Sequence, residues 1–315
     1  VLEATRATRI MHSEKVQTLW SGYGEIKRYF LEGGTYPSVI VKHIRWPEES
    51  NHPRGWNTAI SHQRKLKSYQ VETNWYRHFA SQTDSSCKVP QVLDVKGDSN
   101  EVVLMMEDLN PSGYHIRLTP KEVSLEDVKN CLTWLANFHA TFMESVPEGL
   151  WPIGTYWHLE TRPDEWKKME NEELKAAASK IDSKLNQAQF QTLVHGDAKL
   201  ANFCFSADDQ VAAVDFQYVG RGCGMKDVAY LISSCFDDET SAIYEEELLS
   251  HYFSSLSESW DTAIDFQSVK EEWLILYPYA WADFYRFLDG WSPGHWKMHG
   301  YSEKLTQQVL NDLSS

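Results

Sequence analysis

Up to about residue 107, apolar and polar residues alternate in short runs. Beyond it, apolar residues recur every three or four positions. Lys15–Trp20, Glu25–Leu31 and Ser38–Ile44 predict three strands. The first two are joined by Ser21-Gly22-Tyr23-Gly24 and the next pair by residues 33–37, which hold two glycines and a proline. A Pro-, Asn-, Ser- and Gly-rich loop, Pro47–Asn57, precedes a helix predicted over Thr58–Ala80, and Pro90–Val95 and Glu101–Met106 predict two more strands around the turn Lys96–Asn100.

Helical spacing of Val128, Cys131, Leu132, Leu135, Phe138 and His139 predicts a helix from Ser124 to Met143. Ser124 and Asp127 open it as a capping box in which Asp replaces the usual Glu or Gln. Another helix is predicted over Glu165–Ile181, strand-loop-strand character over Gln191–Phe216, and helices from there to the end. The fold class that follows is α+β: a sheet-rich region over residues 1–107 and a helical region over 108–315, with no internal repeat.

Two charged residues interrupt apolar faces. Strand alternation puts Ile40, Lys42 and Ile44 on one face, and helical spacing puts Tyr69, Glu72, Tyr76 and Phe79 on one stripe. Each taken alone is compatible with an exposed lysine and a helix in another register. Together, on consecutive elements, they predict an ion pair across a strand–helix contact. The glycines at 22 and 24 suit a hairpin turn equally well, and gain interest from preceding the strand that leads to Lys42.

Composition narrows the function. The 315 residues carry a formal charge of −15, which argues against a nucleic-acid binder while leaving room for a local cationic pocket. Five scattered cysteines without a C-x-x-C pair predict reduced thiols rather than a zinc site or disulfide frame. No window approaches the ~20 apolar residues of a membrane span, and Val1–Lys15 has no apolar core of a signal segment. The expectation is a cytoplasmic enzyme without a membrane partner.

The chemistry concentrates in Val194–Asn202, which reads V-H-G-D-A-K-L-A-N, and in Asp215-Phe216-Gln217 thirteen residues on. A turn over Ser206–Gln210 predicts a hairpin that brings Asp197, Asn202 and Asp215 to one end. Such oxygen donors suit Mg2+ shared with phosphates. Phosphoryl transfer asks the protein mainly to position reactants and neutralise charge. Asp197 is then the group that orients an acceptor hydroxyl and takes its proton, Asn202 and Asp215 the metal ligands, and Lys199 the cation facing the γ-phosphate. His195 reads as structural.

H-G-D-x-x-x-x-N followed by D-F-Q resembles the protein-kinase-like small-molecule phosphotransferases: aminoglycoside phosphotransferases, choline kinases and, most of all, the ecdysteroid-kinase-like group. Ser68-Tyr-Gln-Val-Glu72, Leu104–Leu109, Leu135–His139 and Asp227 resemble that group's helix, hinge, first helix of the helical lobe and loop-bracing aspartate. The resemblance spans nearly the whole chain and implies a two-lobed kinase fold with ATP and Mg2+ as cofactors. It further implies that Gly22, Gly24, Lys42 and Glu72 serve the phosphates, and that backbone at Met106, Glu107 and Asp108 reads adenine. Gln217 departs from the glycine of protein kinases, and no A-P-E segment follows, which speaks against protein substrates.

Ten aromatic residues between Trp273 and Tyr301 bear on the acceptor. Leu274, Tyr277, Trp281, Phe284 and Leu288 form a core-like helical stripe. Tyr285, Trp291 and Trp296, with Asp283 or Asp289, would line a pocket for an apolar alcohol such as a steroid, or for a quaternary ammonium held by cation–π contact. The rival from another class is a nucleotide-binding protein of the same fold without activity. A metal-dependent hydrolase would need further ligands that the C-terminal motifs lack.

Overall fold

The computed structural model describes residues 1–19, 22–45, 59–97 and 101–314. Trp20 at the end of the first predicted strand, Ser21 of the glycine turn, the loop Pro47–Asn57, Thr58 at the expected helix start, and residues 98–100 of the predicted turn lie outside the described residues. The chain forms two compact units, Val1–Ile116 with Cys204–Gln217, and Arg117–Phe203 with Tyr218–Ser315.

The first unit is built on a five-stranded antiparallel sheet of β1 (Arg9–Thr18), β2 (Gly24–Glu32), β3 (Ser38–Arg45), β4 (Val92–Gly97) and β5 (Glu101–Glu107), in the order β1-β2-β3-β5-β4. The strand β1 begins six residues before its predicted start because it lies at the sheet edge with every residue exposed, so no apolar alternation marks it. A short helix α1 (Leu2–Thr5) precedes it, and α2 (Ala59–His78) lies between β3 and β4 in sequence. On one face of the sheet Ala7, Leu31, Val39, Val41 and Met105 form a core; on the other, Leu19, Tyr23 and Ile44 pack with Tyr69 of α2. The hairpin β7 (Phe203–Phe205) and β8 (Val211–Ala213) adds its residues from 204 on, with Leu109, Cys204 and Ala212 packed together.

The second unit is helical: α3 (Leu125–Thr141), α4 (Pro163–Lys168), α5 (Glu172–Asn186), α6 (Met225–Cys235), α7 (Asp238–Glu258), α8 (Phe266–Trp291) and α9 (Gly300–Ser314). The capping box of α3 closes fully: Asp127 accepts the Ser124 amide at 2.8 Å and the Asp127 amide donates to Ser124 Oγ at 3.2 Å. Aspartate is therefore long enough. The single helix expected over Glu165–Ile181 is two, because Asn171 caps a new start through the Leu174 amide and Asp289 accepts the Glu170 and Asn171 amides. The stripe expected along α8 holds except at Leu274, which is exposed; Trp273 and Leu276 are buried instead. A two-stranded ribbon of β6 (Thr192–Val194) and β9 (Gly220–Gly222) carries the catalytic-type loop at its end. Among the described residues no helix is long and apolar enough to cross a membrane.

Candidate functional site

In the first unit, the predicted strand–helix pair forms. Lys42 Nζ donates to Glu72 Oε1 and Oε2 at 2.9 and 2.6 Å, and both side chains are buried. Asp215 Oδ1 stands 3.7 Å from the same ammonium, and the Tyr69 ring 5.6 Å from it. Burial disfavours the charge on Lys42, but Glu72 and Asp215 outweigh it, so its pKa stands above the ordinary lysine value. The lysine is locked in its charged form.

Asp215 sits at φ +72°, a left-handed conformation that costs a non-glycine residue about 1–3 kcal/mol and persists only where the surroundings impose it. Its neighbours supply that hold. Phe216 stacks on Trp75 of α2 at 4.5 Å between ring centres and meets Tyr76 edge-on. Gln217 Oε1 accepts from Lys65 Nζ at 2.9 Å and Ser68 Oγ at 3.2 Å. Glutamine in place of glycine thus ties the strained segment to the helix that carries Glu72, a role the sequence reading had not assigned.

At the end of β5, Asp108 accepts from Arg28 Nε and Ser38 Oγ, each at 2.6 Å, and Glu107 from Lys88 Nζ at 2.7 Å and Ser112 Oγ at 2.6 Å. The Glu107 amide is spent on the Gln91 carbonyl at 2.8 Å. Met106 is buried in the strand. Gly22 has φ +78° with open space around it, whereas at Gly24 an added Cβ would lie 1.9 Å from the His43 carbonyl oxygen. The second glycine is required both by this close approach and by its φ of +129°.

In the second unit, the loop after β6 turns at Gly196, φ +77°, where a Cβ would meet the Tyr218 carbonyl at 2.1 Å. Asp227, at the start of α6, accepts the His195 and Gly196 amides at 2.5 and 2.9 Å and faces His139 Nε2 at 3.2 Å. His139 in turn meets the Tyr252 hydroxyl at 2.7 Å. His195 is buried and its Nδ1 accepts the Asp197 amide at 3.2 Å, a structural placement.

This frame presents Asp197, itself 5% exposed. Its Oδ2 accepts from Lys199 Nζ at 2.8 Å and Asn202 Nδ2 at 3.1 Å; Asn202 Nδ2 also donates to the Asp197 carbonyl at 2.8 Å. Oδ1 is buried with no hydrogen bond completed among the described residues. The nearby Tyr230 hydroxyl donates to Tyr156 at 3.1 Å; burial first, then the charges of Tyr156 and Asp197 and its hydrogen-bonding interactions with both, push its pKa well up.

The aromatic stretch differs from expectation in its carboxylates. Asp283 is buried between Arg286, at 2.6 Å, and the Trp157 indole N–H, at 2.9 Å, and Asp289 caps backbone amides. Neither is open to a ligand. Tyr285 and Trp291 are half-buried, the latter against Trp157, Phe284 and Phe287, while Trp296 is exposed. Beside them stands a residue the sequence reading passed over: Lys297, buried, with its ammonium 4.5 Å from the Tyr230 ring centre. Its one visible signal was a lysine set in an aromatic-rich loop.

Among the described residues no three His, Cys, Asp or Glu side chains come together. In the second unit Asn202, with Nδ2 committed to Asp197, has its amide oxygen to offer; in the first unit, taken by itself, Asp215 presents a partly exposed carboxylate. Such hard oxygen donors fit Mg2+, which completes its shell with water and phosphate.

No curated protein sequence matches the chain. Among solved structures, the GDP complex of wild-type aminoglycoside 2'-phosphotransferase-IIIa is similar at a TM-score of 0.54 and 10% identity, over 99% of this chain and 96% of that one. A thermostable mutant of aminoglycoside phosphotransferase APH(4)-Ia, in ternary complex with ADP and hygromycin B, is similar at 0.51 and 10% identity, over 97% and 96%. An aminoglycoside phosphotransferase, APH(3'')-Id from Streptomyces rimosus, in complex with ADP and streptomycin, follows at 0.47 and 17% identity, over 87% and 94%. The first two show the fold, a kinase-like one with a β-sheet N-terminal region and a helical C-terminal region. The model of the phosphotransferase enzyme family matches residues 16–264, most of the chain, and the chain accordingly belongs to that family of kinase-fold, small-molecule phosphotransferases.

Proposed function

We propose that this chain is an ATP- and Mg2+-dependent kinase that places a phosphoryl group on a hydroxyl of a small molecule. One observation carries the reading: Asp197 is held at Oδ2 by Lys199 and Asn202, while its buried Oδ1 completes no hydrogen bond among the described residues. A carboxylate fixed at Oδ2, with Oδ1 completing no hydrogen bond of its own beside the Tyr230 hydroxyl, suits an acceptor hydroxyl. Asp197 then orients that hydroxyl and accepts its proton at Oδ1. Lys199 offsets charge on the transferred group, and the Asp227 brace keeps the loop from shifting.

The remaining roles follow from chemistry. Lys42, held charged by Glu72 and Asp215, faces the donor phosphates, as the family resemblance implies. Asn202 and Asp215 would hold the metal, which when bound neutralises phosphate oxygens. Gly22 and Gly24 bring backbone to the phosphates. Backbone near Met106–Asp108 reads the base, through groups other than the Glu107 amide, which Gln91 already occupies. The first unit is thus the nucleotide-binding part, and the second supplies the catalytic loop and the acceptor side. Complexes of similar folds with GDP and ADP support a nucleotide donor. The five buried free thiols support a reducing, cytoplasmic setting.

Screening a panel of small alcohols for acceptor-dependent ADP release, with ATP and Mg2+ present, tests the reading. At least one alcohol should stimulate ADP release well above the acceptor-free rate. Silence across the panel, together with no slow ATP turnover, would leave a nucleotide binder without activity.

A further inference from the structure

Three lysines of the described residues are buried: Lys42, Lys226 and Lys297. Lys42 has Glu72, and Lys226 Nζ donates to Asn186 Oδ1 at 3.2 Å. Lys297 has neither. Its ammonium makes no hydrogen bond and has no carboxylate within 4.0 Å among the described residues, although the residue is 9% exposed. What surrounds it is aromatic: the ring centres of Tyr230, Phe284 and Trp296 lie 4.5, 5.4 and 5.6 Å away. Cation–π contact eases the burial of an ammonium, but leaves its hydrogen-bond donors unmatched.

The placement is built. The Lys297 amide donates to His295 Nδ1 at 3.2 Å, and its carbonyl accepts from Ser302 Oγ at 3.2 Å, which fixes the backbone between α8 and α9. Burial is the main force on the ammonium and lowers its pKa to about 7. Asp197 is near enough for its charge to oppose that fall, so the ammonium and the open carboxylate oxygen share one neighbourhood of the second unit. The faces of the Tyr230, Phe284 and Trp296 rings are therefore taken by the protein's own cation.

We infer that Lys297 anchors an oxyanion of the acceptor: the hydroxylated molecule served by Asp197 carries a carboxylate- or phosphate-class group, received by this ammonium within the Tyr230, Phe284 and Trp296 rings. This deepens the proposed function and rests on it for the hydroxyl at Asp197. An acceptor with a fixed cation would meet a like charge inside an apolar cage and is rejected. The same oxyanion chemistry has a second source, the terminal phosphate of the nucleotide, and the test separates the two.

The charged and titratable groups facing Lys297 are Asp197, Lys199, Tyr230, Cys235 and His295. Burial lifts Tyr230 well above its usual range and Cys235 to about 12, and burial and Lys297 push His295 down. With its own pKa near 7, Lys297 is charged below neutral pH and loses its proton above it, so oxyanion affinity should hold at pH 6 and fall by pH 8.5.

Binding of cyclohexylacetate, 2-cyclohexylethanol and 2-cyclohexylethylammonium to the full chain, measured calorimetrically without nucleotide, tests the inference whether or not any alcohol is phosphorylated. At pH 6 the acid should bind about tenfold or more tighter than the alcohol, as a charge-assisted hydrogen bond allows, and the ammonium weakest. Lys297→Met should erase the acid's advantage and leave ATP affinity unchanged. Lys297→Arg should keep the advantage at both pH values, because guanidinium stays charged where lysine does not. Equal binding of the three probes by the unaltered chain, or preference for the ammonium, overturns the inference. Loss of ATP affinity in Lys297→Met with acid binding intact overturns it in favour of the nucleotide phosphate. The arginine variant keeps the question decidable should the methionine variant fail to fold.

Discussion

Lys42 and Lys297 are both buried lysines, yet their surroundings differ in kind. In the first unit, Lys42 meets two carboxylate oxygens of Glu72 and a third from Asp215, so its charge is balanced before anything binds. In the second, Lys297 is bedded in rings with no carboxylate within 4.0 Å among the described residues, Asp197 acts on it only from farther off, and Asp197 Oδ1 completes no hydrogen bond. A charge balanced within the protein is set in one place and one protonation state, which suits a partner common to every turnover. A charge left unbalanced waits for a partner from outside, which suits the part of the reaction where substrates are told apart. On the proposed reading, the side assigned to the nucleotide is closed electrostatically and the side assigned to the acceptor is open.

The largest effect that breaks this contrast is on rate. Asp197→Asn removes the base but keeps the side chain's size and its contacts with Lys199 and Asn202 in reach. Turnover, read as acceptor-dependent ADP release, should fall by roughly a hundredfold or more, the range of general-base catalysis. A variant within a fewfold of the original would place the proton transfer elsewhere.

Next comes stability in the first unit. Lys42→Met leaves Glu72 buried without its cation and should cost about 3–5 kcal/mol in urea unfolding, whereas Lys42→Met with Glu72→Gln should recover much of that loss. A single variant that costs less than about 1 kcal/mol would mean the pair is a surface-like contact.

How much of this was legible follows from where each signal lies. Lys42 and Glu72 each break a local periodicity, the alternation of one strand and a single helical stripe, so a charged residue in the wrong place was visible without knowing the fold. The loop from His195 to Asn202 is contiguous, and its brace by Asp227 was visible through resemblance. Lys297 is separated from Asp197 by a hundred residues, and only the turn between α8 and α9 brings it to Tyr230. Asp283 and Asp289 looked free in sequence because Arg286 three residues on, the Trp157 indole and distant amides were the partners that occupied them. The early start of β1 and the break at Asn171 were hidden for a different reason: an exposed edge strand has no apolar rhythm, and a cap needs only one residue.

The smallest effect concerns local structure away from the chemistry. Ser124→Ala opens a capping box at the exposed start of α3 and should lower stability by about 1 kcal/mol without altering turnover. Comparing it with Lys42→Met separates loss of stability from loss of function.

The division of roles is tested most directly by nucleotide affinity, measured for Asp197→Asn and Lys42→Met side by side in the presence of Mg2+. The account predicts that Asp197→Asn binds ATP as the unaltered chain does, within about threefold, while Lys42→Met loses at least tenfold, as for a charged hydrogen bond removed from a buried site. Equal loss of ATP affinity in both variants, with acceptor turnover surviving in Asp197→Asn, would contradict it and make Asp197 a ligand of the metal rather than the base.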